Sequence, residues 1–142
     1  MQAVLFAALA LAGLAGPAWG EPWLAAGRVA GGVLVAAGIA AGLLGLVGLR
    51  ENLTAVPRPV AGGRLIDGGV YGLVRHPIYS GIIAAAVGWS LVTASPAAVG
   101  IAALIAAFFD VKARREEAWL LEAYPAYAAY RSRVRKLVPF LY

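Results

Sequence analysis

The chain has no cysteine and a single histidine, His76. The first absence excludes disulfides, thiolate metal sites and thiol catalysis, and leaves the redox compartment undetermined. The second denies a metal the imidazole cluster it would need, so no metal site is expected. Charge is scarce as well: Asp, Glu, Lys and Arg make up 13% of the 142 residues, against 62% hydrophobic. Together with a mean hydropathy of +0.80, this excludes an ordinary soluble globular domain and implies an integral membrane protein. The net charge of +5 would suggest nucleic acid in a soluble protein. Here it expresses the positive-inside rule and attraction to anionic lipid headgroups, and no nucleic-acid partner is expected.

Also missing is the basic n-region that a signal peptide would place before the apolar stretch from Met1 to Gly20. The stretch therefore reads as a retained transmembrane helix, Met1 to Trp19, with Pro17, Trp19 and Trp23 near its outer interface and Glu21-Pro22 as a turn. A second span from Arg28 to Leu49 has no charge inside it, and at about 1.5 Å per residue it crosses roughly 30 Å of hydrocarbon. Gly27, Gly31, Gly38, Gly42 and Gly45 recur along it at spacings of four, seven, four and three. That pattern predicts a face for close helix packing, within one chain or between two in a homo-oligomer. A phosphate-binding loop would need a preceding strand and a polar context, and neither is there.

From Arg50 to His76 the chain turns polar and irregular, outside the bilayer. Gly62-Gly63 and Asp67-Gly68-Gly69 are turn signals around Leu65-Ile66 and Val70-Tyr71, a pattern that allows a small hairpin. A loop of this length is more often functional than incidental. The third span runs from Pro77 to Thr93. Ser95 then reads as an N-cap with Pro96 at the first helical position, so a tight turn joins helices three and four into a hairpin. The uncharged part of the fourth, Pro96 to Phe109, reaches only about 21 Å. Either the hairpin stops short of the far surface or Asp110 and Lys112 lie in the interfacial layer. No breaker follows until Pro125, so this helix carries Lys112, Arg114, Arg115, Glu116, Glu117 and Glu122 into water, with Asp110–Arg114 and Lys112–Glu116 as i,i+4 pairs. A last short helix spans Pro125 to Val134.

Basic residues at 50, 58, 64 and 75 and after Asp110, against Arg28 alone near the first turn, put both termini and the central loop on the cytoplasmic side. The expected fold class is all-α: a single membrane domain over 1–142 with four transmembrane helices, two of them in 1–49, and a cytoplasmic C-terminal helical extension.

The polar stretch from Gly68 to Gly81 contains Arg75-His76-Pro77. Pro77 suits the first turn of a helix, which makes His76 the cap residue and leaves N–H groups facing an anion. The helix-three/helix-four hairpin sets Glu116 and Glu117 beside it. Each part has a plainer reading: Arg75 and His76 as anchor and cap, the glutamates as a solvated face. Tyr124, Tyr127 and Tyr130 with Trp119 read as an aromatic belt, and Arg131, Arg133, Arg135 and Lys136 as a lipid-facing basic patch.

Tyr71, the run Arg75-His76-Pro77-Ile78-Tyr79-Ser80-Gly81, Glu116-Glu117 with Leu120, Tyr127, Tyr130 and Val138-Pro139 resemble the membrane methyltransferases that include isoprenylcysteine carboxyl methyltransferase and the phospholipid N-methyltransferases. The likeness covers about Thr54 to Pro139; the first two helices match only in being hydrophobic. It implies S-adenosylmethionine as cofactor, bound cytoplasmically by a core over 50–142, and a lipophilic acceptor arriving from the bilayer. Arg75, His76 and Glu117 are then the expected catalytic residues, and Tyr71, Arg75, His76, Tyr79, Glu116, Glu117 and Tyr130 the cofactor's contacts. The helix start suits the cofactor's carboxylate, the glutamates its ammonium, and the tyrosines its adenine or sulfonium.

Two alternatives stay open. Membrane sterol reductases that use NADPH carry a similar motif, typically with asparagine after the proline and an acid after the glycine, where this chain has Ile78 and Ile82. A non-catalytic scaffold would use only the glycine face. The abundance of alanine, glycine and arginine suggests a bacterial cytoplasmic membrane.

Overall fold

The computed structural model describes residues 1–15, 20, 23–49 and 65–142. Among them the chain is all-α: α1 (Gln2–Ala15), α2 (Trp23–Leu49), α3 (Pro77–Val92), α4 (Pro96–Ala123) and α5 (Tyr127–Arg133), with one 3₁₀ turn at Gly69–Gly72. The turn expected at Glu21-Pro22 and the loop from Arg50 to Arg64, including Gly62-Gly63, lie outside the described residues.

Three expectations need correction. α2 begins at Trp23, upstream of Arg28, because Leu24-Ala25-Ala26 are good helix formers and the exposed Arg28 can extend its charge toward an interface from inside the helix. Val70-Tyr71 form no strand. Tyr71 N–H bonds the Gly68 carbonyl at 3.2 Å and Leu73 N–H that of Val70 at 3.2 Å, a tight turn that Gly69 permits by taking φ +60°. α5 also starts two residues late, since Pro125 and Ala126 form a turn closed by Tyr127 N–H on the Tyr124 carbonyl at 2.9 Å.

The chain forms two compact units whose boundaries fall inside α2, α3 and α4. The first comprises Met1–Ala40 and Gly81–Phe109. In it α2 and α3 meet backbone to backbone: a Cβ on Gly31 would lie 2.5 Å from the Gly88 carbonyl oxygen, and one on Gly38 2.5 Å from that of Gly81. α1 is held by Trp89 Nε1 donating to the Leu9 carbonyl at 3.3 Å and by the Phe6 ring stacked on Phe109 at 6.3 Å. Ala94, Ala98, Ala102, Ile105 and Phe109 are buried. α2 nevertheless exposes Val29, Val33 and Ile39, an apolar surface that suits lipid and not water. α2 and α4 are long and apolar enough to cross a membrane. α1 with 14 residues and α3 with 16 reach only about 21 and 24 Å.

Ser95 caps α4 as expected, its Oγ accepting from Ala98 N–H at 3.2 Å while donating to the Ala12 carbonyl at 2.9 Å. Ser95→Ala removes both bonds from a buried site. It is expected to cost about 1–2 kcal/mol, measurable as a lowered thermal midpoint in detergent; an unchanged midpoint would contradict the cap.

The second unit comprises Ala41–Ser80 and Asp110–Tyr142. The end of α2 fits around the 3₁₀ turn and the start of α3. Tyr71 donates its hydroxyl to the Gly45 carbonyl at 3.2 Å, and Gly48 leaves room for the Tyr71 ring. After α5 the chain runs beside residues 74–76: Val74 and Arg135 form a parallel bridge, Arg75 N–H bonds the Arg135 carbonyl at 2.8 Å and His76 N–H that of Lys136 at 3.1 Å. Tyr130 closes the arrangement by donating to the Tyr71 carbonyl at 2.6 Å.

Candidate functional site

His76 caps α3: its carbonyl accepts the first helical bond, from Ser80 N–H, at 2.9 Å. The cap directs its imidazole, and the Arg75 side chain before it, toward α4. On α4, Ala113 and Glu117 lie one turn apart on a buried row, so Glu117 sits where an apolar residue would be expected. Its charge is met from three sides. Arg75 Nε donates to Glu117 Oε1 at 2.8 Å, His76 Nε2 lies 3.2 Å from the same oxygen, and Arg131 Nε is 3.4 Å from Oε2. Nη1 of Arg75 reaches the carbonyls of Arg131, at 3.2 Å, and Val134, at the electronegative end of α5.

Glu116 faces the other edge of the imidazole. Its Oε2 is 3.7 Å from His76 Nδ1, and its Oε1 accepts from the Tyr79 hydroxyl. The His76 and Tyr79 rings stack at 5.4 Å, and Lys112 Nζ lies 5.1 Å from the Tyr79 centroid. His76 thus stands between two carboxylates. Nε2 is within hydrogen-bond reach of Glu117 and Nδ1 within ion-pair distance of Glu116, a placement suited to a ring that exchanges a proton.

Tyr71, Tyr127 and Tyr130 are buried, and burial pushes each phenol above its ordinary value. The neighbouring Glu116 adds to this for Tyr71 and Glu117 for Tyr127. All three remain neutral donors at physiological pH. The Tyr127 hydroxyl has no hydrogen-bond partner among the described residues; its ring meets that of Tyr130 edge-on at 5.6 Å.

The structure therefore joins Arg75, His76, Tyr79, Glu116 and Glu117 into one network. Tyr71 and Tyr130 bond each other beside it. The backbone N–H groups of Arg75 and His76 themselves are bonded to the carbonyls of Arg135 and Lys136.

Sequence reasoning missed two members. Arg131 pairs with Glu117 and Lys136 is buried against Asp110, although both read as lipid-facing charges. No sequence periodicity links either cation to its acid; the packing of α5 and the following segment against α4 does. The Asp110–Arg114 pair, readable from its i,i+4 spacing, forms at 2.7 Å. Arg75 and Glu117 also line a cleft of about 320 Å³, together with Arg114, Arg131, Arg135, Lys136, Leu141 and Tyr142.

The sequence pattern of the phospholipid methyltransferases matches residues 26–127, a stretch that holds both the Arg75–Gly81 run and Glu116-Glu117. The chain belongs to the phospholipid methyltransferase family. Its match begins inside α2, so the likeness extends further toward the N-terminus than the motifs alone suggest. Protein-S-isoprenylcysteine O-methyltransferase B of Arabidopsis thaliana is 34% identical over 80 residues, covering 55% of this chain and 41% of that protein. The fold is similar to the solved structure of the eukaryotic intramembrane Ras methyltransferase, isoprenylcysteine carboxyl methyltransferase, with a TM-score of 0.69 at 20% identity over 99% of this chain and 51% of that one. The chain thus spans between two fifths and about half the length of these relatives. Family, fold and apolar helices together make it an integral membrane protein.

Proposed function

We propose that the protein is an S-adenosylmethionine-dependent methyltransferase acting on a lipophilic acceptor. The observation that carries this reading is His76 set between Glu116 and Glu117 with Arg75 on the same carboxylate. A buried and a half-buried acid side by side, next to a half-buried guanidinium and stacked aromatic rings, fit a ligand that is itself an ammonium, a sulfonium and a carboxylate. Glu116 and Glu117 would hold the ammonium, Arg75 and His76 the carboxylate, and Tyr71, Tyr79 and Tyr130 the adenine or the sulfonium. When bound, the cofactor supplies a methyl group on positively charged sulfur.

The protein's task is then alignment and exclusion of water. Oxygen of an acceptor carboxylate forms the new bond to the methyl carbon as the carbon–sulfur bond breaks. A carboxylate is already ionised at neutral pH, so no base is required, which favours an isoprenylcysteine-like acid. An amine acceptor would have to shed a proton, and His76, backed by two carboxylates, is the group placed to take it. The residues after Arg50 form the cofactor-binding core in this reading. The distribution of basic residues supports four transmembrane helices in a cytoplasmic membrane, with both termini and the site cytoplasmic.

The test is equilibrium binding of S-adenosylmethionine to detergent-purified protein, with S-adenosylhomocysteine as competitor. His76→Ala is expected to weaken binding on the order of tenfold or more, the worth of one charge-assisted hydrogen bond. Wild-type protein that binds neither compound, or a His76→Ala variant that binds both unchanged, overturns the assignment.

A further inference from the structure

We infer that Asp110, outside the set assigned to the cofactor, is a positioning residue: through its ion pair with Lys136 it holds the segment from which Arg75 and His76 are hung, and so keeps His76 between Glu116 and Glu117. Its effect on ligand binding rests on the methyltransferase reading; the positioning itself stands on the geometry of the second unit alone. Residues 135–137 supply three consecutive carbonyls to the start of α3. That of Arg135 accepts from Arg75 N–H at 2.8 Å, that of Lys136 from His76 N–H at 3.1 Å, and that of Leu137 from the Ser80 hydroxyl at 2.6 Å. The backbone of both motif residues is therefore in register with this segment. Where the segment lies along α4 decides where the imidazole and the guanidinium meet the glutamates.

Asp110 fixes that place. Its Oδ1 pairs with Lys136 Nζ, and the Lys136 side chain is only 9% exposed, so the tie is shielded from water and salt as a surface pair is not. Asp110 Oδ2 accepts from Arg114 Nε at 2.7 Å. The Tyr142 hydroxyl joins the three: it donates to Asp110 Oδ1 at 3.1 Å and accepts from Lys136 Nζ at 2.6 Å and Arg114 Nη2 at 3.0 Å.

On α4, Asp110 and Glu117 are seven residues apart, two turns along nearly one face with a rise of about 10 Å. The chain from α5 onward is thus clamped to α4 at two points, by Arg131 on Glu117 at 3.4 Å and by Lys136 on Asp110. The Arg131 side chain is 51% exposed and free to swing toward water, whereas Lys136 is enclosed; Asp110 is the firmer of the two clamps. Among the described residues Asp110 bonds Arg114, Lys136 and Tyr142 and makes no contact with His76. A role in stability alone would leave the His76 ring unaffected once the chain is folded. A positioning role requires the ring to respond to Asp110 from a distance.

His76 is the only histidine, so its imidazole proton–carbon NMR signal in the full chain in detergent is unambiguous. Asp110→Asn keeps the shape and deletes the charge. It is expected to shift that signal with no ligand present, and to weaken S-adenosylhomocysteine binding about tenfold, within the range that such couplings span. Asp110→Glu restores the charge and is expected to return both readouts toward wild type. Lys136→Met removes the other half of the tie, and Asp110→Asn combined with Lys136→Met should be no worse than either change alone. Tyr142→Phe keeps the ring beside Lys136, 4.2 Å from its Nζ, and removes only the hydroxyl. It is expected to move the His76 signal less but in the same direction, and carries the test if Asp110→Asn does not fold. A lowered thermal midpoint with the His76 signal unmoved, a shift that Asp110→Glu does not reverse, losses that add in the double variant, or unchanged S-adenosylhomocysteine affinity in a variant whose signal has moved would each overturn the positioning role. Wild-type protein that binds no S-adenosylhomocysteine while its His76 signal follows Asp110 as expected would instead count against the methyltransferase reading and support the positioning.

Discussion

Glu117→Ala is expected to destabilise the second unit by about 3–5 kcal/mol, the cost of breaking a buried ion pair by removing one partner. The side chains of Arg75 and His76 are 9% and 8% exposed, so neither can recover its lost partner from bulk water. Arg75 would keep the carbonyls of Arg131 and Val134 but no anion. Total stabilities of roughly 5–15 kcal/mol make such a loss visible as a strongly lowered unfolding midpoint in detergent. Glu117→Gln preserves the volume and an acceptor oxygen while deleting the charge, and should fall between wild type and alanine. Arg75→Met combined with Glu117→Met removes both charges together and is expected to recover part of the stability, because apolar replacement of a buried pair is often near neutral. The same double variant should not bind S-adenosylmethionine, which separates the pair's structural contribution from its functional one. A Glu117→Ala midpoint equal to that of wild type would show that the carboxylate is not the anchor of this network.

The helices were legible because few features interrupt the apolar runs, and those that do have defined backbone consequences. Pro77, Ser95-Pro96 and Pro125 mark starts and stops to within two residues. Arg28 misled for a physical reason: in a membrane chain a charge suggests an interface, yet one flexible side chain can reach an interface from within a helix. The pairs Leu65-Ile66 and Val70-Tyr71 were ambiguous because two apolar residues between glycines fit a strand or a single turn equally well; the burial of Tyr71 against Gly45 and Gly48 decides for the turn. Arg75, His76 and Glu117 stood out as charges at the margins of hydrophobic helices, and the hairpin topology sufficed to bring them together. Arg131 and Lys136 could not be assigned, since a run of cations on a short helix looks solvated until its neighbours are known.

Gly38→Leu is expected to prevent the close approach of α2 and α3, and the alanine series at the same helix provides a test of sign. In helices in water alanine is favoured over glycine by about 1 kcal/mol, so propensity alone predicts that every Gly→Ala change on α2 stabilises. At Gly31 and Gly38 the new Cβ would lie 2.5 Å from a backbone carbonyl oxygen of α3, and backbone cannot rotate aside as a side chain can. The helices must separate, and a gap of roughly 0.5–1 Å already forfeits a quarter to a half of each dispersion contact. In lipid that packing is the main force between helices, without a hydrophobic term to replace it. Gly31→Ala and Gly38→Ala should therefore destabilise by about 1–3 kcal/mol, and Gly38→Leu by more. At Gly42 and Gly32 a Cβ would meet nothing within 4 Å, so Gly42→Ala and Gly32→Ala should be neutral or gain up to about 1 kcal/mol. Unfolding midpoints of the four alanine variants in one detergent decide the matter. Shifts of one common sign would mean that helix propensity, and not the contact between α2 and α3, governs this face.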